Sequence, residues 1–286
     1  MGLKLVVVTG SRADYSVLEY PLRLLQVDPF FELDVWNVAE CGFEPIVNTI
    51  THSERPDLIL LLGDRYEVMA TAFLAHLNRI PIAHIAGGDV TEGSYDDAMR
   101  DAISRMASLH FVTSTSAMAR LTHMGLRNVH LVGNPCIDYM RNTAWKAARP
   151  YKRPYVVVSY QPETLEGVNE IDKVIASLPA GKFAVFIMPN PDNGSDAIRD
   201  SVEAYVGNHA ADAIWFNSLP HAQFLNLLHH CDEFIGNSSS MLYEAPELLI
   251  KTRMVGRRQR GRTIPFGDGH ASERIIKILK FTAGTL

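Results

Sequence analysis

Asp64, Arg65, Asp96 and Arg100 are the residues whose type and spacing first suggest chemistry. Leu58 to Leu62 is an all-apolar run, too short for a helix, and reads as a buried parallel strand. Gly63 ends it. Asp64 and Arg65 then lie on the turn before a helix expected to start near Glu67. Pro81 to Ile85 reads as the next strand and ends the same way, in Gly87-Gly88-Asp89. Beyond it, Asp96 and Arg100 stand four apart on a helix and share one face. Open α/β sheets bind ligands at the carboxyl ends of their strands. Two neighbouring strand ends would therefore offer two carboxylates and two guanidinium groups to one crevice. That combination suits an anionic substrate with a proton to move. Asp96 with Arg100 is equally well explained as a surface ion pair. The strand-end placement of Asp64 and Arg65 shifts the reading toward function.

Other groups sit at similar turns. Leu5 to Thr9 is a β-branched run closed by Gly10-Ser11-Arg12. The turn lacks both the dinucleotide glycine pattern and the Gly-Lys-Ser/Thr of a phosphate loop. Arg12 could hold a diphosphate there, or be a solvated turn residue. In the second half, Gly236-Asn237-Ser238-Ser239-Ser240 precedes a helix expected from Met241. Backbone N–H groups and hydroxyls at such a start can bind phosphate oxygens; simple capping would need only one serine. Glu244, on the first turns of that helix, could accept from ribose hydroxyls. Arg257, Arg258, Arg260 and Arg262 form a basic loop that could clamp a diphosphate or be merely solvated. Gln161, Asn190 and Asp192 follow two further strands and are taken as substrate-binding.

These positions require an alternation of strands and helices. Leu33 to Val38, Leu109 to Thr113 and Val129 to Val132 read as further strands, with helices at Ser16 to Leu25 and Ala117 to Met124. Residues 144 to 154 resemble a linker, after which the alternation restarts at Tyr155 to Ser159, Phe183 to Met188, Ala213 to Phe216 and Phe234-Ile235. The expected architecture is α/β: two Rossmann-like domains, residues 1–150 and 151–286, facing across a cleft. The C-terminal helix, near Ala271 to Leu279, can pack back on the first domain.

Composition narrows the classes. The 286 residues carry a net charge of −5, so there is no overall basic footprint for nucleic acid. Cys41, Cys136 and Cys231 show no metal-ligand spacing and suit a reducing cytoplasm. No apolar run approaches the ~20 residues that span a bilayer. Met1-Gly2-Leu3-Lys4 leads straight into a strand, so no signal peptide is expected.

Taken together, Arg12-Ala13-Asp14-Tyr15, Gly63-Asp64-Arg65-Tyr66-Glu67, His84 to Asp89, Asp96 to Arg100, Gly236-Asn237-Ser238-Ser239-Ser240 with Glu244, and Arg258-Gln259 resemble, in order, the hydrolysing UDP-N-acetylglucosamine 2-epimerase family, especially its sialic-acid-pathway branch. The resemblance covers nearly the whole chain. It implies a GT-B-like fold and a cytoplasmic enzyme that needs neither metal nor other cofactor. UDP would contact Arg12, Arg65, Ser238, Ser239, Glu244 and Arg258, while Asp64, Asp96 and Arg100 would line the sugar. A UDP-sugar, UDP-N-acetylglucosamine first, is the implied partner; an acceptor molecule and a second copy of the chain are further candidate partners.

The chain departs from the family pattern where protons move. Val17 replaces a lysine, Ala86 a polar residue, Gln161 a histidine and Asp101 a histidine, and a segment between Glu40 and Pro56 is shortened. Valine and alanine transfer no proton, and glutamine none at neutral pH. Three readings follow: an epimerase that eliminates UDP across C1 and C2 using Asp64 and Asp96; a GT-B glycosyltransferase delivering the sugar to an acceptor hydroxyl; or a non-catalytic nucleotide-sugar binder.

Overall fold

Leu58–Leu62 shows how the sequence builds the first layer. All five residues of LILLL are buried, and they divide by the two-residue period of a strand. Leu58, Leu60 and Leu62 enter one apolar cluster, and Ile59 and Leu61 the other. A strand buried on both faces belongs inside a parallel sheet covered by helices on each side. The structure, a computed structural model, describes residues 2–284 except 11, 39–46, 48, 49, 51–54, 93 and 260–263, and excludes the side chains of Arg12 and Ala13. The shortened segment between Glu40 and Pro56, Cys41, Arg260 and Arg262 thus fall largely or wholly outside the described residues.

The described chain divides into two units. The first comprises Met1–Val90, Asp96–Asn142 and Thr263–Leu286; the second comprises Thr91–Tyr95 and Thr143–Arg262. In the first unit the order is β1 (Leu3–Thr9), α1 (Arg12–Val27), β2 (Phe31–Asn37), β3 (Leu58–Leu62), α2 (Tyr66–Leu77), β4 (Ile82–Ile85), α3 (Asp96–Met106), β5 (Leu109–Val112), α4 (Thr115–His123), β6 (Val129–Leu131) and α5 (Pro135–Asn142). The strands form one sheet in the order β2-β1-β3-β4-β5-β6, with every pairing parallel.

Helix α10 (Ala271–Thr282) returns to this unit. Its Ile275, Ile276 and Leu279 share a cluster with Leu18, Leu22 and Leu25 of α1. The opposite face is closed by Val68, Ala72 and Ala75 of α2 and Ile103 of α3. Asp138, fully buried on α5, accepts from the backbone N–H of Ala271 and Ser272 at 3.1 and 2.5 Å. The orphan donors at the start of α10 are thus satisfied from another helix.

The second unit runs β7 (Tyr155–Ser159), α6 (Ile171–Ala176), β8 (Phe183–Ile187), α7 (Ser195–Asn208), β9 (Ala213–Phe216), α8 (His221–His230), β10 (Glu233–Gly236), a 3₁₀ turn (Ser239–Met241), α9 (Glu244–Glu247) and β11 (Thr252–Met254). Its parallel sheet has the order β11-β10-β7-β8-β9. The helix expected from Met241 is instead the 3₁₀ turn followed by the single-turn α9. A continuous helix would need Pro246 to donate to the Leu242 carbonyl, and proline has no N–H.

Both sheets reverse strand order once. The first does so at β1 and β3, the second at β7 and β10. Such switch points open a crevice beyond the strand ends, where doubly wound proteins bind ligands.

Candidate functional site

At the first switch point the turns after β1 and β3 interlock. The Gly10 N–H donates to Asp14 Oδ2 at 3.1 Å. A Cβ at Gly10 would come within 3.3 Å of the Arg65 stem and 3.2 Å of Val68. Gly63 makes its turn at φ 77°, a conformation that costs glycine nothing. Asp64 emerges from it. Arg65 follows, its guanidinium donating from Nε and one Nη to the two oxygens of buried Glu67, each at 3.2 Å. The Arg12 side chain lies outside the described residues.

Arg100 is the centre of the acidic group. It is only 4% exposed. Its guanidinium donates to Asp64 and Asp97, and at 2.7 Å to the Asp89 carbonyl. The Asp89 carboxylate in turn accepts from the buried Thr113 hydroxyl at 2.9 Å. Asp96 opens α3 and is half-buried. The structure therefore joins Asp64 to Arg100 and adds Asp97 and Asp89, which the sequence reading passed over. Spacing could have found Asp97, because i,i+3 shares a helix face as well as i,i+4. A carboxylate touching a guanidinium is held in its ionised form. These groups can orient a polar substrate, and Asp64, whose side chain is 20% exposed, is open to accept a proton.

The second switch point is stitched by Asn237. Its side chain accepts from the Gln161 N–H at 2.6 Å and donates to the Gln161 carbonyl at 2.8 Å. Its carbonyl accepts from Gln259 Nε2 at 2.8 Å. Gly236 is required here, since a Cβ would lie 1.9 Å from the Ser159 carbonyl oxygen. Ser238 opens the 3₁₀ turn, its Oγ accepting from Ser240 N–H at 3.3 Å. Ser239 and Ser240 follow, half-buried. Glu244 is 7% exposed, and one of its oxygens lies 3.9 Å from Nε2 of buried His221.

The loop after β11 meets the same strand ends. Arg258 donates to the Pro162 carbonyl at 2.9 Å. The Arg257 N–H donates to Glu163 at 2.6 Å, and its guanidinium reaches Glu166 at 2.9 Å. Glu163, 2% exposed, ties this loop down and was not singled out from sequence. Gln161 spends its Oε1 on the Asn190 N–H at 3.0 Å, a fixed structural bond at a position counted as substrate-binding. Asp192 is half-buried, its carbonyl accepting from Ser195 N–H at 3.0 Å.

Three buried histidines give the fold a titration signature. Burial pushes His84, His110 and His221 down to about 4. For each ring the folded value lies below the unfolded 6.5, so its contribution is complete above about 6.5 and is lost as pH falls toward 4. Each ring should cost on the order of 2 kcal/mol of stability at pH 5 relative to pH 7.5. Urea unfolding at the two pH values should show the loss, and a flat profile would contradict neutral burial of these rings.

The class this arrangement defines is a doubly wound α/β protein with charged groups at both switch points, suited to an anionic ligand. A family model described as UDP-N-acetylglucosamine 2-epimerase matches residues 6–264. The chain is 30% identical over 310 residues to the UDP-N-acetylglucosamine 2-epimerase of Neisseria meningitidis, covering 91% of this chain and 81% of that one. It is 28% identical over 315 residues to polysialic acid biosynthesis protein P7 of Escherichia coli, covering 91% and 80%. An alignment of 315 positions over 91% of 286 residues means that relative carries residues this chain lacks. The N. meningitidis UDP-GlcNAc 2-epimerase solved with UDP-GlcNAc shares the fold at a TM-score of 0.77 and 16% identity, over 98% of this chain and 100% of that one. An S. aureus protein solved with UDP gives 0.79 at 16% identity, over 99% and 98%. The chain belongs to the UDP-N-acetylglucosamine 2-epimerase family and is an enzyme of that family. No helix among the described residues is long and apolar enough to cross a membrane.

Proposed function

We propose that the protein is a hydrolysing UDP-N-acetylglucosamine 2-epimerase, eliminating UDP across C1 and C2 of the sugar and re-adding water. The observation that carries this reading is the Asp64–Arg100 pair at the first switch point, in a chain that keeps the serine turn of the second unit. Ser238 and Ser239 take the phosphates and Glu244 the ribose. Arg258, Arg65 and Arg12 offset the charge of the diphosphate, which is the leaving group. Asp64 accepts the C2 proton, and Arg100 with Asp96 orients the sugar.

The replaced positions sharpen the assignment. Val17 and Ala86 pack against the apolar core. Asp101 is paired with Arg120 at 3.0 Å. Val17 and Ala86 hold no titratable group, so we assign that work to the carboxylates around Arg100. The setting we propose is a reducing cytoplasm, in keeping with three cysteines scattered through the sequence. A homodimer is part of the reading; Tyr66, Phe73 and Leu77, exposed along one side of α2, are what would meet across it.

The nucleotide half is tested by Ser238→Ala with Ser239→Ala. Hydrogen bonds to a charged group contribute about 1.5–3 kcal/mol each. The double variant should bind UDP at least tenfold more weakly by calorimetry, and unchanged affinity would refute the phosphate assignment.

A further inference from the structure

We propose that His84 is a positioning residue for the reaction, a strut that sets the distance and orientation of Asp64 against Arg100. The inference rests on the proposed role of that pair and extends it to a residue that touches no substrate.

His84 lies on β4, fully buried, between apolar neighbours. Both ring nitrogens are engaged. Nε2 is 2.7 Å from the Gly63 carbonyl oxygen, and Nδ1 is 2.9 Å from the Ser104 hydroxyl oxygen. A carbonyl can only accept, so Nε2 carries the proton and Nδ1 accepts from Ser104. The tautomer is fixed by its partners. The charged and titratable neighbours are His110, its register partner on β5, and Asp101 on α3. The ring is neutral at working pH, since burial holds it down to about 4.

What these two bonds join is the argument. Gly63 immediately precedes Asp64, and its N–H already donates to the Ile85 carbonyl at 3.0 Å. Gly63 is therefore gripped by β4 at both its N–H and its C=O. Ser104 stands four residues after Arg100 on α3, on the same face. One imidazole thus spans the turn that carries Asp64 and the helix that carries Arg100. Gly87 is shaped around it: a Cβ there would meet Ser104 Oγ at 2.7 Å and His84 Nδ1 at 2.9 Å. Any buried imidazole needs partners for both nitrogens; what is particular here is that the two partners belong to the turn and the helix that carry the ion pair.

Displacement of a reacting group by about 1 Å can cost a hundredfold in rate. His84→Leu removes both bonds. It should lower kcat for UDP release from UDP-N-acetylglucosamine by about tenfold to a hundredfold, with KM and UDP affinity within about twofold. Amide exchange read by mass spectrometry should quicken in peptides covering Gly63–Glu67 and not across the sheet. His84→Gln, whose amide can donate near the Nε2 position, should recover most of the rate. Normal kcat in folded His84→Leu, equal damage from His84→Gln, or exchange quickened throughout the first unit would each overturn the proposal. If His84→Leu does not fold, Ser104→Ala decides: a smaller kcat loss in the same direction supports the strut, and an unchanged kcat overturns it. If the wild-type enzyme releases no UDP, the functional reading fails by itself, and the exchange pattern still decides whether His84 holds the Asp64 turn.

Discussion

Asp64→Asn should lower turnover of UDP-N-acetylglucosamine by 10²–10⁴-fold, the usual cost of removing a positioned acid or base. The substitution keeps size and shape. It removes the carboxylate that takes the proton and, with it, the charge that pairs with Arg100. An amide cannot take a proton at neutral pH. UDP affinity should stay within about twofold, because Asp64 is assigned to the sugar proton and none of the groups assigned to UDP is changed. Steady-state kinetics paired with calorimetry make the check. Turnover within threefold of wild type would move the base to another carboxylate near Arg100: Asp89, Asp96 or Asp97.

Arg100→Met should cost stability as well as rate. The guanidinium is 4% exposed and serves Asp64, Asp97 and the Asp89 carbonyl together. Removing one partner of a buried pair typically costs 3–5 kcal/mol, because the remaining charge loses its compensation. Here the Asp64 and Asp97 side chains are 20% and 24% exposed, so water relieves part of that penalty. A loss of about 3 kcal/mol is expected in urea unfolding, together with turnover lower than that of Asp64→Asn. Arg100→Lys should fall between, since an ammonium keeps the charge but not the planar fork. A stable, active Arg100→Met protein would mean that the acidic cluster is neither structural nor catalytic.

The fold was legible because its signals are local. Leu58 to Leu62 and Tyr155 to Ser159 are apolar runs too short for helices and read as strands buried on both faces, and the glycines at 63, 87 and 236 mark the ends of β3, β4 and β10. Strand ends also gave the candidate groups, since the switch points place Asp64, Gln161 and Ser238 there by topology alone. What escaped were features set by tertiary contact. The strand ends put Asp64 and Arg100 at one crevice, but nothing local says that these two residues, thirty-six apart, pair directly, or that Gln161 turns its side chain to Asn190. Nor does local sequence say that Glu163 anchors the loop at Arg257. The helix expected from Met241 is cut short at Pro246, a residue whose lack of an N–H is legible in the sequence.

Proton exchange at C2 tests the central claim most directly. The enzyme is incubated with UDP-N-acetylglucosamine in heavy water, without an acceptor, and product and recovered substrate are analysed by mass spectrometry. Elimination across C1 and C2 predicts release of UDP together with one deuterium at C2 of the free sugar. Release of UDP only when an acceptor is added, with no deuterium at C2, would instead establish sugar transfer and contradict the account.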